Sequence, residues 1–219
     1  FAAEDDLHDL EVLPGTVQTL EEASVILWFG HGVYVERCGP VLGTSLPAMD
    51  ESVLETYEEE IASEQIYLSN RFLCLTPAFF DAKLDDGSLE GSLVYLSACA
   101  SAQDSRLADV FLKKGAALVV GNTREVLIPY SLYMMDSFME NLTRQYEDGS
   151  YYTAEDALSR AQRRYGRTDI LHGARVVLLY PKGESGYRLT DKTGPVKQTD
   201  SPSDRFQAII EPFVSPGRE

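Results

Sequence analysis

The chain has 219 residues, of which 44% are hydrophobic, and its formal net charge at pH 7 is −16. This length and composition are typical of one α/β domain with a sizeable core, and no apolar run approaches the roughly 20 residues that cross a bilayer, so no membrane span is expected. The acidic balance argues against nucleic acid as a partner, because binding to phosphate groups requires a basic patch.

Residues 1–17 are acidic and rich in turn-forming residues, which predicts an exposed entry segment. The first strand is predicted at residues 25–29, where every residue is apolar, as in a strand that helices cover on both faces. His31 and Gly32 follow the end of this strand. Residues 34–43 are predicted to form a polar loop, because two glycine-containing pairs interrupt them.

A helix is predicted at residues 50–64, with Asp50 as its N-cap and apolar residues at helical spacing on one face. A short strand is expected at residues 71–75. Thr76 and Pro77 follow it, and this pair is typical of an N-cap with proline in the first helical position. These residues therefore predict a strand that leads directly into a helix.

The second buried strand is predicted in the apolar run 93–99, which ends at Cys99. A helix is expected at residues 106–114 and another apolar strand at residues 117–121. A polar loop beginning with Asn122 follows. This alternation of strands with helices favours a parallel sheet.

Two further helices are predicted at residues 129–146 and 153–165, the second with Thr153 as its N-cap. A final buried strand is expected at residues 176–180, with residues 187–189 paired to it as a hairpin. The chain is polar and punctuated by proline from residue 191 onward, so residues 191–219 are interpreted as a C-terminal extension or linker.

Cysteine and histidine are scarce. Three residues of each are too few and too scattered for a disulfide framework or a zinc site, so no metal and no cofactor are expected. In an open α/β sheet, reactive groups gather past the carboxyl ends of the strands. His31 and Cys99 each follow such an end, which predicts a Cys-His pair. Taken singly, His31 also fits a polar turn and Cys99 a small buried hydrophobe; their joint occurrence favours the pair.

Four segments resemble the caspase-like cysteine peptidases, the group that includes caspases, legumain, clostripain, gingipains, separase and bacterial CHAT domains. They are residues 28–32, 96–101, 107–116 and 154–162. The specific pieces are the His-Gly pair in the first segment and the Ala-Cys pair in the second. The resemblance covers residues 25–180. It implies a three-layer α/β fold, with a mostly parallel central sheet and helices on both faces, and a peptidase domain at residues 1–190.

The resemblance also implies a strand that precedes the histidine strand. The residues before Val25 are too few for a full crossover and its two strands. The first strand is therefore expected either upstream of Phe1 or from a partner chain or domain that completes the sheet, as in a processed fragment.

For chemistry, the resemblance implies a cysteine endopeptidase with a Cys-His dyad. Cys99, as thiolate, would attack the scissile carbonyl, and His31 would take the thiol proton and later protonate the departing amine. The backbone N–H groups of Cys99 and Gly32 would hold the oxyanion. Glycine suits the second position because it has no Cβ to obstruct the substrate backbone.

The pocket for the substrate residue before the cut is assigned to Ser97, Asn122, Thr123 and Asp104. Relatives that cut after Arg or Lys often place an acidic residue just before the nucleophile, where this chain has Ser97 and Ala98. Asp104, Glu36 and Glu125 are loop residues that could supply such a charge. Each of the three also fits an ordinary surface carboxylate.

Two other functions stay open. A catalytically silent binding or regulatory module would keep the fold and the residues but lack a formed pocket. A dinucleotide-binding domain is suggested by Gly30 and Gly32, but the third glycine of that fingerprint falls at Val35, where β-branched bulk blocks helix-strand approach. The expected partner is a peptide or protein substrate. Acidity and similarity to secreted bacterial peptidases favour an extracytoplasmic location over a cytoplasmic one.

Overall fold

The structure is a computed structural model and describes Val17, Leu20 and residues 23–189. The predicted entry segment, apart from Val17, lies outside the described residues. The predicted extension at residues 191–219 and the boundary before it also lie outside them, as does the strand expected upstream.

In the described part of the chain, the strands are, in chain order, β1 (Val25–Phe29), β2 (Gly32–Val35), β3 (Gly39–Pro47), β4 (Ile66–Leu68), β5 (Phe72–Leu75), β6 (Leu93–Ser97), β7 (Leu118–Asn122) and β8 (Val176–Leu179). The helices are α1 (Glu51–Thr56), α2 (Glu58–Ala62), α3 (Pro77–Lys83), α4 (Arg106–Lys113), α5 (Ile128–Leu142) and α6 (Ala154–Tyr165). Strands and helices alternate from β5 to α5, as the sequence predicts.

The main sheet has the strand order β1-β6-β7-β8. β1, β6 and β7 run parallel, and β8 is antiparallel to β7. The chain is therefore α/β with a mixed, mostly parallel sheet, which confirms this part of the prediction. β6 and β7 are buried along their whole length, as expected for central strands, while β1 forms an edge of the described sheet and its Leu27 is 49% exposed.

Alternate residues of β6 belong to two different hydrophobic cores. Val94 and Leu96 join a core that includes Phe80 of α3 and Phe111 of α4. Leu93 and Tyr95 join a second core formed with α5 and α6, in which the ring of Tyr95 lies 5.4 Å from that of Phe138, measured between centroids. Successive residues of a strand face opposite sides of the sheet, so the two cores lie on opposite faces. Helices therefore cover both faces of the sheet.

A second, antiparallel sheet with the order β2-β3-β5-β4 replaces the polar loop predicted at residues 34–43. Gly39 turns the chain between β2 and β3 with a φ of +90°. Pro40 lies opposite Tyr34 in a non-hydrogen-bonded pair, so its backbone groups point away from β2. On that other side of β3, pairing with β5 begins only at Leu42. The missing N–H of Pro40 therefore costs no ladder hydrogen bond, and the prediction of a loop was wrong.

Two further predictions differ from the structure. The helix predicted at residues 50–64 is broken at Tyr57 into α1 and α2, although Asp50 does cap its start by accepting hydrogen bonds from the N–H groups of Ser52 and Val53. Residues 187–189 form no strand. The carbonyl of Tyr187 instead accepts the N–H of Ala154, the first residue of α6. No helix among the described residues has the length and apolar character needed to cross a membrane.

Candidate functional site

The histidine and the cysteine follow two neighbouring parallel strands. β1 pairs with β6 in parallel register, so His31 and Cys99 leave the sheet at the same edge. Just before them, the N–H of Gly30 donates to the carbonyl of Ser97 across the two strand ends, at 3.3 Å. Both His31 and Cys99 border one small cavity of about 70 Å³, whose other walls include Phe29, Ser97, Val126, Ile128 and Ser131. The sequence-predicted pair therefore shares a cavity.

The thiol of Cys99 is held by the backbone of Val126. The Val126 N–H donates to Sγ at 3.4 Å, and Sγ donates to the Val126 carbonyl at 3.6 Å. Ala100, the next residue along the chain, has a φ of +54°, a left-handed conformation that costs a residue with a Cβ roughly 1–2 kcal/mol. The Ala100 N–H donates to the carbonyl of Arg124 at 2.8 Å, which pins this turn against the loop that carries Val126.

The imidazole of His31 is exposed and stacks on the ring of Phe72, with centroids 4.9 Å apart and planes 17° apart. Its backbone carbonyl accepts the N–H of Gly43 at 2.8 Å. A Cβ at Gly43 would lie 3.1 Å from the His31 Cβ, so glycine leaves room for the stacked histidine. No hydrogen bond joins the imidazole to Cys99 or to another described residue. Among the described residues, the stacking on Phe72 is the contact that orients the ring.

Gly32 and Cys99 come together at the predicted oxyanion site. A Cβ built at Gly32 would lie 2.3 Å from the Cys99 carbonyl oxygen and 3.2 Å from its nitrogen, so only glycine fits. His31 and Gly43 form a hydrogen-bonded pair, and hydrogen-bonded pairs alternate with non-hydrogen-bonded pairs along an antiparallel ladder. The next pair, Gly32 with Leu42, is therefore non-hydrogen-bonded, and the N–H of Gly32 points away from β3. The Cys99 N–H donates to no carbonyl among the described residues.

The predicted pocket residues Ser97 and Asn122 lie in a buried polar cluster. Ser97 borders the cavity, and its hydroxyl lies 2.7 Å from that of Ser131, a residue of α5. Asn122 lies behind Ser131 and donates from Nδ2 to the Ser131 hydroxyl and to the carbonyl of Ala98, each at 3.2 Å. Asn122 therefore supports the cavity from behind and does not line it.

Thr123 and Asp104 lie away from the cavity, in contrast to the prediction. Thr123 exchanges two hydrogen bonds with the backbone of Arg175, because the chain at the end of β7 still pairs with the segment leading into β8. Asp104 accepts hydrogen bonds from Nε and Nη2 of Arg106 at 2.9 and 2.7 Å. The Arg106 guanidinium also donates to the carbonyl of Glu36, which places Asp104 beside the β2–β3 hairpin.

Sequence reasoning missed Asp169, whose side chain is fully buried. One carboxylate oxygen accepts the N–H of Leu171 at 2.7 Å, and the other accepts the N–H of Leu127 at 2.9 Å and lies 3.1 Å from Nδ1 of His172. Burial alone would raise the pKa of Asp169, but these hydrogen bonds outweigh it and hold the pKa below its usual value. An aspartate side chain that accepts the N–H of the residue two positions ahead is a common turn signal. The hydrogen bond from Leu127 spans 42 positions, so no local pattern in the sequence indicates it.

The other two cysteines differ from Cys99 in their surroundings. Cys74 is buried in β5, and burial raises the pKa of its thiol to about 11. Burial also raises the pKa of the partly buried Cys38, in the turn between β2 and β3. Neither of these two residues borders the cavity that His31 and Cys99 share.

Within the described ranges, no group of three or more histidine, cysteine, aspartate or glutamate side chains is arranged to hold a metal ion.

No family model matches the chain, and a search of curated proteins gives no significant match.

Proposed function

We propose that this chain is a cysteine endopeptidase of the caspase-like type, with Cys99 as nucleophile and His31 as general base. The observation that carries the proposal is that His31 and Cys99 border one cavity from the ends of two adjacent parallel strands, while the backbone of Gly32 packs against that of Cys99. These are the parts that acyl transfer needs: a nucleophile, a base, and backbone donors for the oxyanion.

The proposed reaction begins when the Cys99 thiol loses its proton to the imidazole of His31. Sγ then bonds to the scissile carbonyl carbon, and the carbonyl electrons move to the oxygen, which faces the N–H groups of Gly32 and Cys99. When the C–N bond breaks, the protonated His31 gives its proton to the departing amine. Water next attacks the thioester with His31 as base, which releases the acid product and restores the thiol.

Two local changes are required before the first step. Sγ must give up its hydrogen bond to the Val126 carbonyl, since a thiolate has no proton to donate. The imidazole must turn from its stacked position on Phe72 toward Sγ. The His31 ring is exposed and has no hydrogen bond to a described residue, so among these residues the movement breaks only the stacking contact with Phe72.

The cavity suits a small, uncharged substrate side chain before the cut. Its volume is about 70 Å³, and apart from His31 its lining carries no ionisable side chain other than the Cys99 thiol. Asp104 is occupied by Arg106, so it supplies no free carboxylate for an arginine or lysine. We therefore propose cleavage after residues such as alanine or serine.

The stacked histidine also supports a second candidate, a catalytically silent binding module. In that case the imidazole would stay on Phe72, and Sγ would stay bonded to Val126. The module would bind peptides without cutting them. Turnover separates the two candidates, because only the peptidase consumes its ligand.

The test is an incubation with a diverse mixture of unstructured peptides, with cleavage sites identified by mass spectrometry. Wild-type protein should cut, whereas Cys99→Ala and His31→Ala should each lower the rate by at least about 100-fold. Cys38→Ala is the matched control and should cut at the wild-type rate, because Cys38 lies outside the cavity. Absence of cleavage by the wild type, or near-normal cleavage by Cys99→Ala, would overturn the proposal.

A further inference from the structure

We infer that Asp169 is a positioning residue for Cys99: its carboxylate holds the backbone at Val126 and Leu127 in the place where Val126 contacts the thiol. The inference rests on the proposed function of Cys99 and adds to it a residue that touches neither the substrate nor the sulfur. It follows from a continuous set of contacts that begins in the loop before β8 and ends at Sγ.

The contacts connect Asp169 to Sγ of Cys99 through the backbone of Leu127 and Val126. The Asp169 carboxylate accepts the N–H of Leu127 at 2.9 Å. One peptide bond away, the N–H and carbonyl of Val126 both engage Sγ of Cys99. Fixing the Leu127 N–H therefore fixes the peptide plane between the two residues. Sγ is thus oriented from a loop 70 positions further along the chain than Cys99.

At its Leu127 end this loop has few other anchors among the described residues. Leu127 is the N-cap residue of α5, and no side chain caps that helix. Ile128, the first residue of α5, is mostly exposed, so packing does little to hold it. The Asp169 carboxylate supplies the missing anchor, and its negative charge lies favourably beside the start of the helix.

The burial of the charge makes the anchor specific. Removing a carboxylate from water is costly unless hydrogen bonds replace its hydration. Here three donors do so, the N–H groups of Leu127 and Leu171 and the His172 ring. Because the Leu127 donor lies in one loop and the Leu171 and His172 donors lie in another, a shift of either loop would break a bond to a buried charge. The arrangement therefore defines one position for the backbone at Val126.

The effect on Cys99 follows from the two bonds that Val126 makes. An N–H donated to a thiolate is charge-assisted, whereas a thiol is a weak donor to a carbonyl. Loosening the backbone at Val126 should withdraw this N–H from Sγ, raise the pH at which Cys99 becomes reactive and slow its alkylation near neutral pH. The ionisable side chains that face this cluster include His31, Glu125, Tyr130 and His172.

The test measures the alkylation rate of each cysteine by iodoacetamide as a function of pH, with peptide mass mapping as the readout. Asp169→Asn keeps the size of the side chain but replaces one acceptor oxygen with an amide donor. We expect its Cys99 rate near neutral pH to fall by about tenfold, which corresponds to a rise of about one pH unit in the midpoint. Cys38 and Cys74 serve as internal standards and should keep their rates.

Asp104→Asn is the matched control. Asp104 also accepts a backbone N–H and a cationic side chain in a loop, but it has no contact with Val126. Its Cys99 midpoint should equal that of the wild type. If Asp169→Asn fails to fold cooperatively, Asp169→Glu replaces it, since that variant keeps the charge and moves it by one methylene. The Glu variant should also raise the Cys99 midpoint.

An unchanged Cys99 midpoint in the folded Asp169 variant would overturn the inference, even if the wild type cleaves peptides. An equal shift in Asp104→Asn would also overturn it, because the effect would then be general. Failure of the proposed function has a different signature: the wild type cuts no peptide, or His31→Ala leaves cleavage unchanged, whatever the Asp169 variant does.

Discussion

The backbones of Gly32 and Cys99 cross so closely that a Cβ at Gly32 would lie 2.3 Å from the Cys99 carbonyl oxygen. The glycine that starts β2 therefore contacts the second residue after β6. This crossing joins the two sheets near the end of β1 and brings the backbones of Gly32 and Cys99 together. Both the fold at this point and the proposed oxyanion site depend on the absence of a side chain at position 32.

Gly32→Ala should therefore be costly. The methyl group would force the backbones apart, which we expect to lower the free energy of unfolding by about 1–3 kcal/mol. Cleavage activity should fall with it, because the two N–H groups would separate. Urea denaturation and peptide cleavage measure the two effects.

Gly30→Ala is the control for this prediction. It lies two residues earlier, and a Cβ there would meet only the Trp28 ring, at an ordinary distance of 3.4 Å. Its unfolding free energy should stay within about 0.5 kcal/mol of wild type. Equal stability of the two alanine variants would show that Gly32 has more room than the structure gives it.

Specificity gives a second prediction, based on the small cavity between Phe29, Ser97 and Ile128. In matched peptides that differ only before the cut, alanine or serine should be cleaved at least about tenfold more efficiently than arginine or lysine. Ile128→Ala should raise cleavage after larger apolar residues, because it enlarges the cavity. The readout is kcat/KM for each peptide, and a preference for arginine or lysine would refute the assignment of this cavity.

The sequence predicts the strands that carry the site because their local pattern agrees with their burial. β6 and β7 are buried throughout and are apolar except for their last residues, Ser97 and Asn122. The residues that follow β1 and β6 meet because these two strands are parallel neighbours. Thr153 is a similar case. Its hydroxyl accepts the N–H of Asp156 at the start of α6, as its capping pattern predicts.

The second sheet and the rear of the cavity were not predictable in this way. The β2–β3 hairpin contains Gly39 and Pro40, which usually signal a loop, and only the absence of a β5 partner at that point makes proline acceptable in a strand. The roles of Ser131 and Asp169 depend on contacts with residues far away along the chain. A single sequence carries no local signal for such contacts.

The pH dependence of stability gives a third prediction. Asp169→Asn should lower the free energy of unfolding by about 1.5–3 kcal/mol near pH 7, since hydrogen bonds to a buried charge are lost. The pKa of Asp169 in the folded protein is held below its usual value. The carboxylate therefore stabilises the fold above the pKa of the unfolded chain, and this contribution is lost as the pH falls through the folded pKa.

The difference between wild type and Asp169→Asn should accordingly be constant from about pH 7 to about pH 5 and shrink below about pH 4. Urea titrations of the two proteins across this range measure it. A difference that grows as the pH falls would contradict the assigned direction of the pKa shift.

The most direct test of the central claim is the reactivity of Cys99 itself, compared between wild type and His31→Ala. Brief treatment with limiting iodoacetamide near neutral pH, followed by peptide mass mapping, ranks the three cysteines. Burial raises the pKa values of Cys38 and Cys74, so Cys99 should be labelled first, and its rate should fall at least severalfold in His31→Ala. If Cys38 or Cys74 is labelled first, or His31→Ala leaves the Cys99 rate unchanged, His31 and Cys99 do not act as a pair.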